Sequence, residues 1–452
     1  MAKIFPFRGV TYSTTKIGKD LSQVVTQPYD RIFPDRREEY YKRSEFNFVK
    51  IVLGHKFATD DEYYNYYTRS TGYLNHWFEQ GILEKAKQPA IYAYHQEFKV
   101  DGEIVIRKGF VALAELEAPG KGVKAHEKTL AGPKADRLNL TRHIRAQVGH
   151  IFMLYSDPAR TADMALDKAI EDNEPDMIAT DWFGNIHKMW AITDTETIRI
   201  VQDTLSDKTL FIADGHHRYE TAVNYWQECE GKGLKPAHNA TETFKNRMMT
   251  LINMDDPGLV VLPTHRVIHS VENYNLDKFL TDVKVNFDVE EFEFLENTSR
   301  NSTFDEVFGK MGTLGLQNKH AFVFAPKNVN KFYLLVLKDE AIMDRAISQP
   351  LSATWKRLDV SILHKLLLED LLGIDAKALE EKRNLYYIRA KEQGFEYLDK
   401  DPKVQGVFYI NPTKVGQVKD IASAGERMPQ KSTDFYPKLL TGMVINKLEF
   451  GE

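Results

Sequence analysis

Asp214, Gly215, His216, His217 and Arg218 follow one another without a break. These residue types suit the holding of a phosphate. Arg218 can grip a phosphate through two parallel N–H bonds. His216 and His217 can donate hydrogen bonds or move protons near neutral pH. The chemistry depends on what lies on either side. Leu210-Phe211-Ile212-Ala213 is a short apolar run that reads as a buried strand. Asp214-Gly215 is a turn dipeptide. Beyond it Tyr219, Ala222, Val223 and Trp226 recur at spacings of three and four, which predicts a helix that ends near Gly231 and Gly233. A helix that starts just after Gly215 offers free backbone N–H groups and a positive dipole end, and both attract anions. The plainer alternative is an N-cap at Asp214 followed by a solvated turn.

Three further groupings carry polar chemistry. His126-Glu127, with Arg137 downstream, supplies a glutamate that could act as general base on a hydroxyl; a solvated loop is the alternative. Pro263-Thr264-His265-Arg266 is a second His-Arg pair after an apolar run, or else a proline turn that exposes charge. Lys431, Ser432 and Thr433 stand in a polar loop restrained by Pro429 and Pro437; they suit an oxyanion, or the loop simply covers the core. Zincin, Walker, kinase glycine-rich, dinucleotide-fingerprint and nucleophile-elbow motifs do not occur.

The elements that must position these residues alternate between strand and helix. Val24 to Asp30 reads as a strand running into a Pro-Tyr-Asp turn, Arg36 to Phe46 as a helix, and Asn47 to Leu53 as a strand. Glu62 to Gly81 is predicted helical. Ile91–Tyr94 and Ile104–Ile106 form a hairpin about Asp101-Gly102, with Phe110 to Leu116 as a third strand. Val123 to Thr129 is a polar loop. A helix is expected from Leu138 to Gln147, then the strand Ile151–Tyr155, a helix from Thr161 to Asn173, and the strand Lys188–Ile192. After the Asp214 turn come the strand Asn246–Asn253, a hairpin between His320 and Leu337, and a helix from Leu358 to Leu372. The strand Val407–Ile410 follows, and a C-terminal helix beyond Pro437. This alternation implies mixed sheets in α/β or α+β domains.

With 452 residues, two or three domains are expected. A net charge of −5 and a pI of about 6.3 speak against nucleic acid as partner. Cys229 is the single cysteine, so no intrachain disulfide or thiolate cluster can form. The expectation is a cytoplasmic protein without a membrane partner, given no export signature and no apolar run of spanning length.

Phe211 to Ala222 and Met428-Pro429-Gln430-Lys431-Ser432-Thr433 closely resemble signatures of the domain-of-unknown-function 1015 family. Pro28-Tyr29-Asp30, His126-Glu127, Asp136-Arg137 and Pro263 to Arg266 agree with the same pattern. The order His-Glu, arginine-bearing helix, apolar strand, Asp-Gly-His-His-Arg is also similar to the ParB/sulfiredoxin-like superfamily, its free-serine-kinase branch above all. The chain departs from small members of that branch in the longer stretch between Ile151 and Asp214.

The resemblance implies an α+β fold: a ParB/sulfiredoxin-like nucleotide-binding core with mixed sheets, elaborated by N-terminal, inserted and C-terminal α/β segments. The divisions are 1–118 (N-terminal segment), 119–270 (core), 271–345 (α+β insertion) and 346–452 (C-terminal helical segment). It further implies a phosphotransferase that acts on a small hydroxylated metabolite, with free serine among the acceptors. Glu127 would be the base, with His216 and His217 the other catalytic residues. Asp214, Gly215, Arg218, His126, Arg137, Lys431, Ser432 and Thr433 would hold nucleotide and phosphate. Tyr29, Asp30, His265 and Arg266 would face the substrate. The nucleotide would be ATP or ADP, with CTP open, and Mg²⁺ would come with it, no resident metal being expected. A nucleotide-binding regulatory protein or a nucleotide hydrolase is the alternative function. Oligomeric state stays open.

Overall fold

The computed structural model describes residues 2–100, 102–117, 122–125, 131–381 and 383–451. They form mixed α/β structure with several sheets, in two compact units: Met1–Val260 with Phe435–Glu452, and Val261–Asp434. Among the described residues no helix is long and apolar enough to cross a membrane.

The first unit is built on a mixed sheet. From one edge its strands run Val123–Ala125, Leu210–Asp214, Ile151–Tyr155, Asn246–Asn253, Glu103–Glu115, Ile91–Val100, Ile186–Ile192 and Met177–Thr180. Val123–Ala125 lies parallel to Leu210–Asp214, and Ile151–Tyr155 parallel to Asn246–Asn253; the other neighbours in this order are antiparallel. Ile151–Tyr155 and Asn246–Asn253 are buried throughout. Burial on both faces suits the unbroken apolar run Ile151–Tyr155, whereas Asn246–Asn253 carries Asn246, Arg247, Thr250 and Asn253 among its buried apolar residues. Ile151, Met153, Leu210, Ile212, Met249 and Leu251 share one core with Tyr219 and Val223 of the helix His216–Gly231. The helical face expected from sequence is therefore the face that packs.

Several local expectations are corrected. Phe110 to Leu116 is not a third strand but the far half of Glu103–Glu115. The strand runs on through Gly109, where a Cβ would come 2.6 Å from the Ile252 side chain; glycine permits the close approach. Asn47 to Leu53 is not a strand. The Asn47 carboxamide accepts from the Val49 N–H at 3.0 Å and donates to the Gln23 carbonyl at 2.7 Å, just ahead of a short helix, Val49–Val52, whose N-cap is Phe48. Val24 to Asp30 makes only an isolated bridge, Thr26 with Thr441, before a 3₁₀ turn, Tyr29–Arg31. Within the loop expected after Gly122, Val123–Ala125 is a strand.

The helix expected beyond Pro437 is absent from the described residues. Residues 435–451 run instead as an extended strap through the first unit, bridged at Thr441, Ile445 and Asn446–Lys447. Gly442, at φ +102, sits against Phe48 in a backbone region closed to a helix. Arg107 is fully buried and holds the strap's start: it donates to the carbonyls of Tyr436 (2.9 Å) and Pro437 (2.5 Å), and to Gln96 Oε1 at 3.0 Å.

In the second unit an antiparallel sheet runs Phe287–Glu293, Lys331–Leu337, Ala321–Pro326, Val404–Ile410, His265–His269, Leu385–Ile388. Phe304, Val307 and Met311 of the helix Glu296–Leu316 pack on Val323, Leu334 and Tyr409. The expected hairpin between His320 and Leu337 is present. The expected helix from Leu358 begins as Asp359–Ile362 and widens into a π-helical stretch, Leu363–Glu369.

Arg107→Met should leave two strap carbonyls without donors in a dry interior. An unmet buried acceptor costs about 1–3 kcal/mol, so a loss of roughly 3 kcal/mol in urea unfolding is expected.

Candidate functional site

The strand Leu210–Asp214 stops where Gly215 takes φ +95, and the helix His216–Gly231 starts at the next residue. Gly215, not Asp214, is the N-cap, and no side chain caps this helix start. A Cβ at Gly215 would lie 3.0–3.2 Å from the Arg218 guanidinium, so the turn needs glycine for both its angle and its room.

Asp214 anchors the turn. One carboxylate oxygen accepts from Arg218 Nη2 and the other from Lys438 Nζ at 3.2 Å. Burial alone would raise its pKa; Lys438, Arg218 and Arg31 outweigh that and hold it far below the usual carboxylate range. Arg218 is thereby fixed, and its other branch donates to the His150 carbonyl.

The Pro28-Tyr29-Asp30 segment lies at this turn. Arg31 acts on Asp214, and Asp30 on His217. Burial depresses the His217 pKa against the opposing pull of Glu220 and Asp30, so His217 is held as a neutral imidazole at pH 7. His216 is buried. The Arg137 guanidinium sits 4.1 Å from the centre of the Tyr29 ring. Arg137 also donates to the Val52 carbonyl and the Tyr66 hydroxyl, both at 2.8 Å, and pairs with Asp136.

A small cleft of about 50 Å³ is lined by residues of this cluster and of the helices Ala131–Ile144 and His216–Gly231. Its apolar wall is Val52, Leu140, Ile144, Ala222, Tyr225 and Phe244. Its polar wall holds Arg137, Arg218, Arg247, Tyr29 and Thr221. Guanidinium groups among apolar side chains in so small a space suit an anionic group.

The first unit thus gathers Tyr29, Asp30, Arg137, Asp214, Gly215, His217 and Arg218 around one turn. His126 and Glu127 lie outside the described residues. His265, Arg266, Lys431, Ser432 and Thr433 belong to the second unit. There Arg266 is buried and donates to the carbonyls of Thr264 and Lys431 (3.2 Å) and to His364, while Ser432 Oγ donates to the Pro429 carbonyl at 2.5 Å. His265 is buried as well, and burial lowers its pKa to about 3.

Four site residues escape the sequence reading: Lys438, Thr221, Tyr225 and Arg247. Arg247 leaves the clearest trace, as the one charge in a strand that is buried throughout. Among the described residues no group of three or more His, Cys, Asp or Glu could hold a metal. Asp214 does not suit Mg²⁺, because each of its oxygens already accepts from a cation.

The chain belongs to the family described as "Protein of unknown function (DUF1015)". The family profile matches residues 4–361, which includes the Asp214 turn and stops short of Lys431. No curated protein matches the chain. Among solved structures, a free serine kinase in complex with AMP aligns at 13% identity over 70% of this chain and 83% of that one, with a TM-score of 0.31. A conserved hypothetical protein from Pyrococcus furiosus aligns at 12% identity, 70% and 87% coverage and TM-score 0.30. SbnI with a C-terminal truncation from Staphylococcus aureus aligns at 7%, 75% and 87%, and 0.31.

Asp214→Asn should destabilise the protein at pH 7, because Arg218 and Lys438 lose their shared anion. The folded carboxyl is depressed, so its stabilisation is complete above the unfolded value of about 3.9 and is lost as pH falls toward the folded pKa. Urea midpoints from pH 7 down to pH 2 should show the gap between wild type and variant at neutral pH and its closure in acid.

Proposed function

We propose that the protein is a nucleotide-dependent phosphotransferase that acts on the hydroxyl of a small metabolite, free serine among the candidates, through a ParB/sulfiredoxin-like core in the first unit. The observation that carries this reading is the position of Arg218. It stands in the first turn of the helix His216–Gly231 and at the same time lines the cleft with Arg137 and Arg247, opposite an apolar wall. The phosphate end of the nucleotide is proposed to meet these guanidinium groups. ATP or ADP is the proposed nucleotide, with CTP as a test.

Phosphoryl transfer asks mainly for positioning and charge stabilisation. Arg218 and the N–H groups at the helix start bind phosphate oxygens. Asp214 and Lys438 keep Arg218 aimed. Neutral His217 accepts or donates a proton at the site's edge. Glu127 is the proposed base for the acceptor hydroxyl. It is supported by the described strand Val123–Ala125, which runs parallel to Leu210–Asp214 and ends at the same edge of the sheet, directly before His126 in sequence. Tyr29 and Asp30 are proposed to contact the acceptor. Mg²⁺, if the nucleotide brings it, would bind through phosphate oxygens and water, since Asp214 is occupied.

Calorimetry with ADP, ATP and CTP should find one that binds, and a metabolite pool incubated with it should yield a new phosphate ester. Arg218→Met should weaken that binding at least about tenfold, the scale of a lost charge-assisted pair. Glu127→Gln should abolish turnover and leave binding unchanged. Binding without any product would favour a regulatory protein, and release of phosphate without an acceptor a hydrolase; no binding at all would refute the proposal.

A further inference from the structure

Gly149 and His150 offer consecutive carbonyls, and each holds a guanidinium. Arg247 Nη2 donates to Gly149 O at 2.5 Å, and Arg218 Nη1 to His150 O. The two like charges therefore stand side by side. Arg218 is answered by Asp214. Arg247 forms no ion pair among the described residues, although it is only 7% exposed, and its Nε is buried with no hydrogen-bond partner. Burial, and then the neighbouring Arg218, lower its pKa to about 9, so it remains charged at neutral pH.

Two other buried polar atoms nearby also lack partners. Thr221 Oγ1 belongs to a side chain that lines the same cleft as Arg218 and Arg247. His150 Nε2 is the second; its ring is held by Thr250 at 2.7 Å and is kept neutral by burial and by both arginines. A buried, uncompensated charge is strongly unfavourable, and a chain retains one where a ligand supplies the opposite charge.

We infer that Arg247, Arg218 and Thr221 form an anion subsite inside the cleft, which takes one phosphate or carboxylate group of the ligand. The anion would bridge the two guanidinium groups, accept from Arg247 Nε and Thr221 Oγ1, and relieve the repulsion between the arginines. Assigning that anion to a nucleotide rests on the function proposed above. The subsite itself does not, because the unpaired groups call for an anion whatever molecule bears it. Arg137 is excluded from this role: Asp136, Tyr66 and the Val52 carbonyl already occupy it.

The test is calorimetry on the full chain with inorganic phosphate, acetate, ADP and adenosine, combined with melting of the ligand-free protein. Arg247→Met should lower the affinity for phosphate and ADP by about ten- to a hundredfold, and leave adenosine binding where it was. It should not lower the melting temperature of the ligand-free protein, because it removes an unpaired buried charge. A residue that merely held Gly149 in place would lower it. Thr221→Val keeps shape and removes the hydroxyl, and should weaken phosphate several-fold; it carries the test if the methionine variant does not fold. Competition by phosphate but not acetate assigns the subsite to a phosphoryl group, and the reverse to a carboxylate-bearing acceptor. Unchanged phosphate and ADP affinity in both variants overturns the subsite while leaving the nucleotide reading intact. A wild type that takes phosphate through Arg247 but ignores ADP overturns the nucleotide reading and leaves the subsite standing.

Discussion

One carboxylate shared by two cations holds the first unit's site together. Asp214 ends a buried strand, Arg218 opens the helix that follows, and Lys438 comes from the far end of the chain. The three meet across a glycine whose backbone angle and missing side chain make the meeting possible. Without the carboxylate, two cations would face each other in a partly buried place, and one of them would swing away. With it, Arg218 has both branches engaged, one on Asp214 and one on the His150 carbonyl. A side chain tied at two points gives up little freedom when a ligand arrives, which is what pre-organisation contributes to binding. The strap that delivers Lys438 is itself fixed by Arg107, a buried guanidinium satisfied by carbonyls and a carboxamide rather than by an acid.

Charge is distributed unequally around the cleft, and the inequality is informative. Arg137 is saturated by Asp136, Tyr66 and a carbonyl, and stacks near Tyr29, so it forms a rigid wall. Arg218 is half answered. Arg247 has no ion pair among the described residues and is held only by the Gly149 carbonyl. Burying an ion costs several kcal/mol even after relaxation, far more than an ordinary surface pair returns. The surplus of positive charge is thus carried by Arg218 and Arg247, which line the same cleft.

Much of this was legible in the residues. The strand–turn–helix unit around Asp214, the helical face of Tyr219 and Val223, and the hairpins at Gly102 and between Ala321 and Leu337 all follow from local periodicity and turn chemistry. Asn47–Leu53 misled because its alternation is real but the backbone turns where the Asn47 carboxamide meets the Val49 N–H and the distant Gln23 carbonyl. The extended C-terminal strap could not be read because its partners, Arg107, Thr26 and Gln147, are remote in sequence. Lys438 was hidden for the same reason. Arg247 and Thr221 become visible only once the strand Asn246–Asn253 and the helix His216–Gly231 are seen to line one cleft.

The most direct measurement is a crystal structure of the full chain soaked with ADP. The expected result is a phosphate group within hydrogen-bonding distance of Arg218 and of the backbone N–H groups of His216 and His217. ADP bound elsewhere, with the cleft filled by water alone, would contradict the claim that this turn is an anion site.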